Sequence, residues 1–288
     1  MSRSHWLGTA GALLFVFLWG SAFVPSKIGV LASSPLWFLV FRFGVSGVLA
    51  LSIAVALGGR LPRTKREWLG VAVLGALANA VYLGLTYEAL RHLAAGVGAI
   101  VSSTNPLLLA LVAPYVLREP LTWRKAVGLV LGFGGVLWIM LARTGTGGAE
   151  PLDMLLALGG VAGSVASTVL FKRFLTGLDL YMTTSLQLLA AALAVLPFAI
   201  LTEGAPHAHW SAALGISFAY TVVVMSIGGQ LLWFWLLNRG EASRVSAYYY
   251  LSPVFGLLIA SLFGEPLNVR DLGGLTAIAC GIAIVQRS

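Results

Sequence analysis

The chain has 288 residues, of which 59% are apolar and only 10% charged, and its mean hydropathy is +0.93. A soluble protein carries about 25% charged residues, so a water-soluble globular fold is excluded and an all-α integral membrane protein is expected. The formal charge of +8 would suggest nucleic acid on a soluble chain; here it is expected to reflect loop topology, with attraction to membrane lipid and no nucleic-acid partner.

A bilayer core needs about 20 apolar residues per helical crossing. Taken in chain order, the apolar runs predict helices at Leu7–Val24, Leu36–Leu57, Leu69–Ala89, Leu93–Leu117 and Ala126–Leu141, then Met154–Leu170, Met182–Leu201, Ala212–Leu237, Val245–Phe263 and Leu272–Val285. The runs are too long and continuous for barrel strands. The first follows Arg3 and resembles a cleavable leader. Its Gly20-Ser21 and Lys27 are matched by Gly163-Ser164 and Lys172, so it is expected to be retained. With both termini cytoplasmic, the inner loops hold 13 Lys and Arg residues and the outer loops four, which satisfies the positive-inside rule.

The chain repeats itself. Asn105-Pro106 is answered by Ser252-Pro253, Glu119-Pro120-Leu121 by Glu265-Pro266-Leu267, and Arg124, Gly128 and Gly135 by Arg270, Gly274 and Gly281. Five runs separate Glu119 from Glu265, so the second copy enters the membrane upside down. The expectation is ten transmembrane helices in two inverted five-helix repeats, residues 1–146 and 147–288, as in carriers that alternate access to a central site.

Polar groups at membrane depth need a partner or a wet cavity. Asn79 and Ser226 are 147 positions apart near mid-helix, as are Asn105 and Ser252. Pro106 and Pro253 free the carbonyls of Ser102 and Tyr249. Tyr82 and Gln230 lie one turn from Asn79 and Ser226. Tyr248 and Tyr249 on the ninth helix, Ser164 and Ser167 on the sixth, and Trp19, near the outer end of the first, extend the candidate lining. The expected substrate-binding set is therefore Trp19, Asn79, Tyr82, Ser102, Asn105, Ser164, Ser226, Gln230, Tyr248, Tyr249 and Ser252. Amide and tyrosine groups suit a small amphipathic solute; the competing reading is that they only hold helices together. Arg42 is the one full charge well inside a run. It either captures a substrate carboxylate or, as the preferred reading, is structural, with Glu88 as counter-ion. Gly128 and Gly132, and Gly273, Ala277 and Gly281, form small-residue faces for internal packing or a dimer contact; a monomer is expected.

Trp19-Gly20-Ser21, Phe41-Arg42-Phe43 and the Pro, Glu-Pro-Leu and Gly series closing each half resemble the drug/metabolite transporter superfamily over the whole chain. The likeness is greatest to its ten-helix EamA-type branch, including the YddG-type aromatic amino-acid exporters. The resemblance implies a bacterial inner-membrane carrier with a cavity lined mainly by helices 1, 3, 4, 6, 8 and 9. No phosphate-binding loop is present, so ATP is not the expected energy source. No acidic or His side chain falls at mid-helix, which points to facilitated transport; the alternative is a proton-coupled multidrug or metabolite efflux carrier using Glu88. The lone Cys280 and the His207-x-His209 pair do not make a metal site. No catalytic residue, metal or cofactor is expected.

Overall fold

The computed structural model describes residues 3–93, 95–143, 151–252, 254–255, 258–259 and 271–287. Pro253 and the second Glu-Pro-Leu motif at 265–267 lie outside them, as does Arg270. The described residues are almost wholly helical, with one isolated antiparallel bridge between Ser33 and Ala208. In chain order the helices are α1 (Gly8–Ala32), α2 (Pro35–Ala56) and α3 (Lys65–Ala89). Next come α4, in two pieces (Ala95–Ser102 and Asn105–Val116), and α5 (Trp123–Arg143). They are followed by α6 (Pro151–Leu175), α7 (Leu180–Glu203) and α8 (Ala212–Arg239). Then α9 starts as Ala242–Ala247 and tightens to a 3₁₀ turn at Tyr248–Leu251, and α10 spans Asp271–Gln286. Among the described residues, α1, α2, α3, α6, α7 and α8 are each long and apolar enough to cross a membrane. The chain is a multi-pass membrane protein.

Helix starts follow local chemistry. Thr64 and Glu67 form a capping box at α3, the Glu67 N–H donating to Thr64 Oγ1 at 3.2 Å. Asp179 caps α7 through the Met182 N–H (2.8 Å) and Ser211 caps α8 through the Leu214 N–H (3.1 Å). The outer surface is apolar at membrane depth, with Val48, Leu49, Val55, Leu111, Leu193 and Ile216 all exposed. Such a belt is stable only against lipid.

Helix pairing follows one rule. Along the bundle α2 packs on α7, α5 on α10, and α4 on α9, while α1 packs on α8 and α3 on α6. Exchanging the first five helices for the last five leaves this pattern unchanged. The two small-residue faces meet each other: a Cβ on Gly281 would lie 2.5 Å from the Gly128 carbonyl oxygen, and one on Gly128 would lie 2.7 Å from that of Gly281. Only glycine lets these two backbones touch.

Two expectations on helix bounds change. The first helix runs on to Ala32, with a turn at Ala22, because Lys27 hides its charge on backbone carbonyls. Trp19 therefore sits mid-helix instead of near an end. The fourth helix is not merely kinked; it stops at Ser103-Thr104 and restarts at Asn105, with Pro106 in the new first turn.

Candidate functional site

The polar centre is built on departures from regular helix. The α3 helix widens to a π-helix at Ala76–Val81 and α8 does so at Thr221–Gly229. These segments carry Asn79 and Ser226. Widened turns of this kind re-aim side chains and are frequent at functional sites.

Asn79, Gln187 and Gln230 close a ring of amides across α3, α7 and α8. Asn79 Nδ2 donates to Gln187 Oε1 (3.2 Å), Gln187 Nε2 donates to Gln230 Oε1, and Gln230 Nε2 donates to Asn79 Oδ1. Each side chain gives one N–H and accepts one, so every amide nitrogen and oxygen of the ring has a partner and one N–H is left over on each amide. All three are buried. Gly75 makes the approach possible, since a Cβ there would fall 2.1 Å from the Gln187 carbonyl oxygen.

A second cluster surrounds Arg42, which is only 4% exposed. Its Nε donates to Ser226 Oγ and its Nη1 to Tyr87 Oη, both at 2.8 Å, and Tyr87 Oη donates to Ser26 Oγ at 3.0 Å. The expected counter-ion is elsewhere: Glu88 pairs with Arg91 at 3.0 Å on the exposed surface. One residue along the helix from Tyr87, Glu88 points away from Arg42.

An aromatic wall flanks the Arg42 cluster. Trp19 stacks on Tyr82 (centroids 5.8 Å, 8° between planes) and meets Tyr249 edge-on at 5.7 Å. Phe15 and Trp233 continue it. Tyr82 Oη lies 3.4 Å from Ser102 Oγ. Ser21 of the Trp-Gly-Ser motif bonds Tyr220 on α8. Asn105 Nδ2 donates to Ser164 Oγ at 3.1 Å, and Ser167 donates to the Ser164 carbonyl. Asn105 Oδ1, Ser252 Oγ and Thr184 Oγ1 are buried without a hydrogen-bond partner.

Of the residues singled out in the sequence, Trp19, Tyr82, Ser102 and Tyr249 come together, as do Asn79 with Gln230 and Asn105 with Ser164. The paired positions do not bond each other: Asn79 joins Gln187 and Gln230, and Ser226 joins Arg42. Tyr248 leaves the centre and lines a separate groove of about 270 Å³ with Gly8, Arg239 and Gln286. The cavity touching Trp19, Ser26, Arg42, Tyr82 and Tyr87 is about 30 Å³, room for a water molecule and not for an amino acid. Sequence reasoning missed Gln187, Tyr87 and Ser26. Gln187 stands out as an amide in an apolar run, but at the 147-residue spacing of the other pairs it meets Val40, and only at the 145-residue spacing of Lys27 and Lys172 does it fall opposite Arg42, so a search at one fixed spacing passes it by.

The two ends are fastened alike and lined differently. Lys27 donates to the carbonyls of Leu90 (2.5 Å) and Leu93 (2.9 Å) at the end of α3, and Lys172 donates to those of Leu237 (2.5 Å) and Gly240 (2.6 Å) at the end of α8. Each cation occupies a helix C-terminus, where the dipole favours it. On the Lys27 side the same small cavity presents Ser26, Thr86 and Tyr87. Their counterparts in the second half are Phe171, Trp233 and Phe234, with Phe171 and Phe234 stacked at 4.3 Å. At that end Glu119 accepts from Ala242 N (2.8 Å), Ser243 N (3.0 Å) and Ser243 Oγ (2.6 Å), capping α9 from the far half. Lys125 Nζ bonds Glu241 at 2.7 Å. Burial would raise the Glu241 carboxyl, but the bond and charge of Lys125, with Arg244, outweigh it and hold the group below its usual range.

The family model of EamA-like transporters matches residues 6–141 and again 152–287. The chain belongs to the EamA-like transporter family. Its members are transporters and not enzymes. Among curated relatives, the uncharacterized transporter YvbV of Bacillus subtilis is 31% identical over 96% of this chain and 92% of its own. Protein PecM of Dickeya dadantii is 28% identical over 93% and 89%, and the uncharacterized inner membrane transporter YedA of Escherichia coli is 26% identical over 96% and 89%. A crystal structure at 20% identity covers 99% of this chain and 98% of its own with a TM-score of 0.80, which shows a shared fold. The drug/metabolite transporter assignment stands, and the chain is a membrane transporter of small metabolites.

Proposed function

We propose that the chain is a ten-crossing carrier of two inverted five-helix halves, 1–146 and 147–288. Both termini face the cytoplasm in a bacterial inner membrane, and the protein works as a monomer. It exports small amphipathic metabolites, aromatic and other neutral amino acids foremost, by alternating access without ATP. The observation that carries this reading is a buried polar centre of amides, guanidinium and tyrosines held between helices whose packing is unchanged when the halves are exchanged. Polar groups at membrane depth are expensive even when bonded to one another, and commonly mark a solute pathway. The unpaired atoms of Asn105, Thr184 and Ser252 support it, since buried polar atoms are normally bonded. The aromatic wall suits rings and branched side chains. Candidate lining residues are Trp19, Asn79, Tyr82, Ser102, Asn105, Ser164, Ser226, Gln230, Tyr249 and Ser252, with Tyr248 at the groove.

Proton exchange through Glu88 finds no support in its position, because the carboxylate is engaged by Arg91 at the surface. The test is radiolabelled L-phenylalanine, L-leucine and L-tryptophan in proteoliposomes. The expected result is saturable uptake with counterflow and no need for an imposed pH gradient. An absolute requirement for that gradient, or uptake that never saturates, refutes the uncoupled carrier.

A further inference from the structure

We infer that Arg42 is the receptor for a carboxylate on the transported solute. The inference rests on the carrier reading and deepens it by naming the solute's charged group. A guanidinium keeps its charge in any protein environment. At 1.5 Å per residue, Arg42 lies about 10 Å from the start of α2, where an unneutralised charge is costly. Among the described residues no carboxylate comes within ion-pair distance of it; the ion pairs formed there are Glu88–Arg91, Asp153–His92, and Glu241 with Lys125 and Arg244. Its two hydrogen-bond acceptors, Ser226 and Tyr87, are neutral hydroxyls. They orient the group without cancelling its charge. A guanidinium has five N–H donors in a planar fork matched to a carboxylate, and two of them are committed here.

The side chain lines the same small cavity as Trp19, Tyr82, Ser26 and Met225. A carboxylate at Arg42 thus places the rest of the solute toward a stacked aromatic face. At about 30 Å³ the cavity is too small for more than a water molecule, so the solute's body requires it to widen. Met225, an adaptable side chain, sits on that wall. Its counterpart in the second half, 145 residues later by the offset of Lys27 and Lys172, is Gln187, which bonds Asn79 as Arg42 bonds Ser226 but carries no charge. The receptor is therefore not duplicated in the second half, and one carboxylate is held per chain.

The test is binding to the purified full-length protein in detergent, by calorimetry, using L-phenylalanine, its methyl ester and phenethylamine. Losing a charged hydrogen-bonded pair is worth roughly tenfold or more in affinity. Wild-type protein is expected to prefer L-phenylalanine over both carboxylate-free probes by at least about that factor. Arg42→Gln should bring the ratio to about one, Arg42→Lys should retain part of it, and Glu88→Gln should leave it intact. A purely structural arginine would lower stability in Arg42→Gln without changing the ratio, and that result overturns the inference. So does wild-type protein that binds the ester as well as the acid, or binds none of the three. If Arg42→Gln does not fold, Arg42→Lys and the wild-type ester comparison decide. Carboxylate-selective binding without counterflow overturns the carrier reading alone.

Discussion

At the scale of single residues, the amide ring depends on three side chains, each bonded to both of the others. Replacing Gln187 by Leu strands an acceptor on one neighbour and a donor on the other, and a buried unsatisfied group costs about 1–3 kcal/mol. Gln187→Leu is expected to lower the melting temperature of the purified protein measurably, whereas Gln187→Glu should do so only near neutral pH. Glu241 gives the pH prediction. Its folded carboxyl is held below its ordinary value of 4.5, so its stabilisation is present above that value and lost as pH falls through the folded one. Wild-type protein should therefore lose melting temperature between about pH 5 and pH 3, while Glu241→Gln should be flatter there and lower at neutral pH. A residue's partner is hard to read from the chain when helices far apart in sequence supply it. Asn79 and Ser226 were legible as polar groups in apolar runs, but their bonds to Gln187 and Arg42 depend on how four helices are rotated.

Among elements, the long apolar runs were legible because lipid dictates their length, and so was a weak point before Pro106, which lacks an N–H, though not the full break in α4. The π-helical turns at Ala76–Val81 and Thr221–Gly229 were not. No residue type demands them, and they follow from packing. The continuation of α1 past Lys27 was also hidden, since a lysine reads as a helix end until its carbonyl partners are known. The α5–α10 seam was visible as glycine spacing, and it yields a sharp expectation. Gly281→Val places a branched side chain where the facing backbone already sits at 2.5 Å, forcing the helices apart. Overpacking of this kind costs about 1–3 kcal/mol or more, so the variant should express poorly or melt earlier. The exposed neighbour Cys280→Val should be tolerated. Equal melting temperatures for the two would refute backbone contact at this seam.

For the whole molecule, the pairing of halves predicts that closure of the Glu119 end is reversible during transport. Glu119 and Ser243 belong to different halves and touch at 2.6 Å. In a Cys280→Ser background, cysteines at 119 and 243 bridged by a short, reducible bifunctional thiol reagent should abolish counterflow, and reduction should restore it. Undiminished counterflow in the bridged protein would show that this end need not open. The matched lysines at opposite ends imply that both closures share one mechanical design. Their buried surroundings do not match: hydroxyls near Lys27 stand where packed rings stand near Lys172. On the proposed path a solute meets hydroxyls that replace its hydration shell on one side of the centre and only rings on the other. The two directions would then differ in speed while sharing one equilibrium, a molecular rectifier in kinetics only.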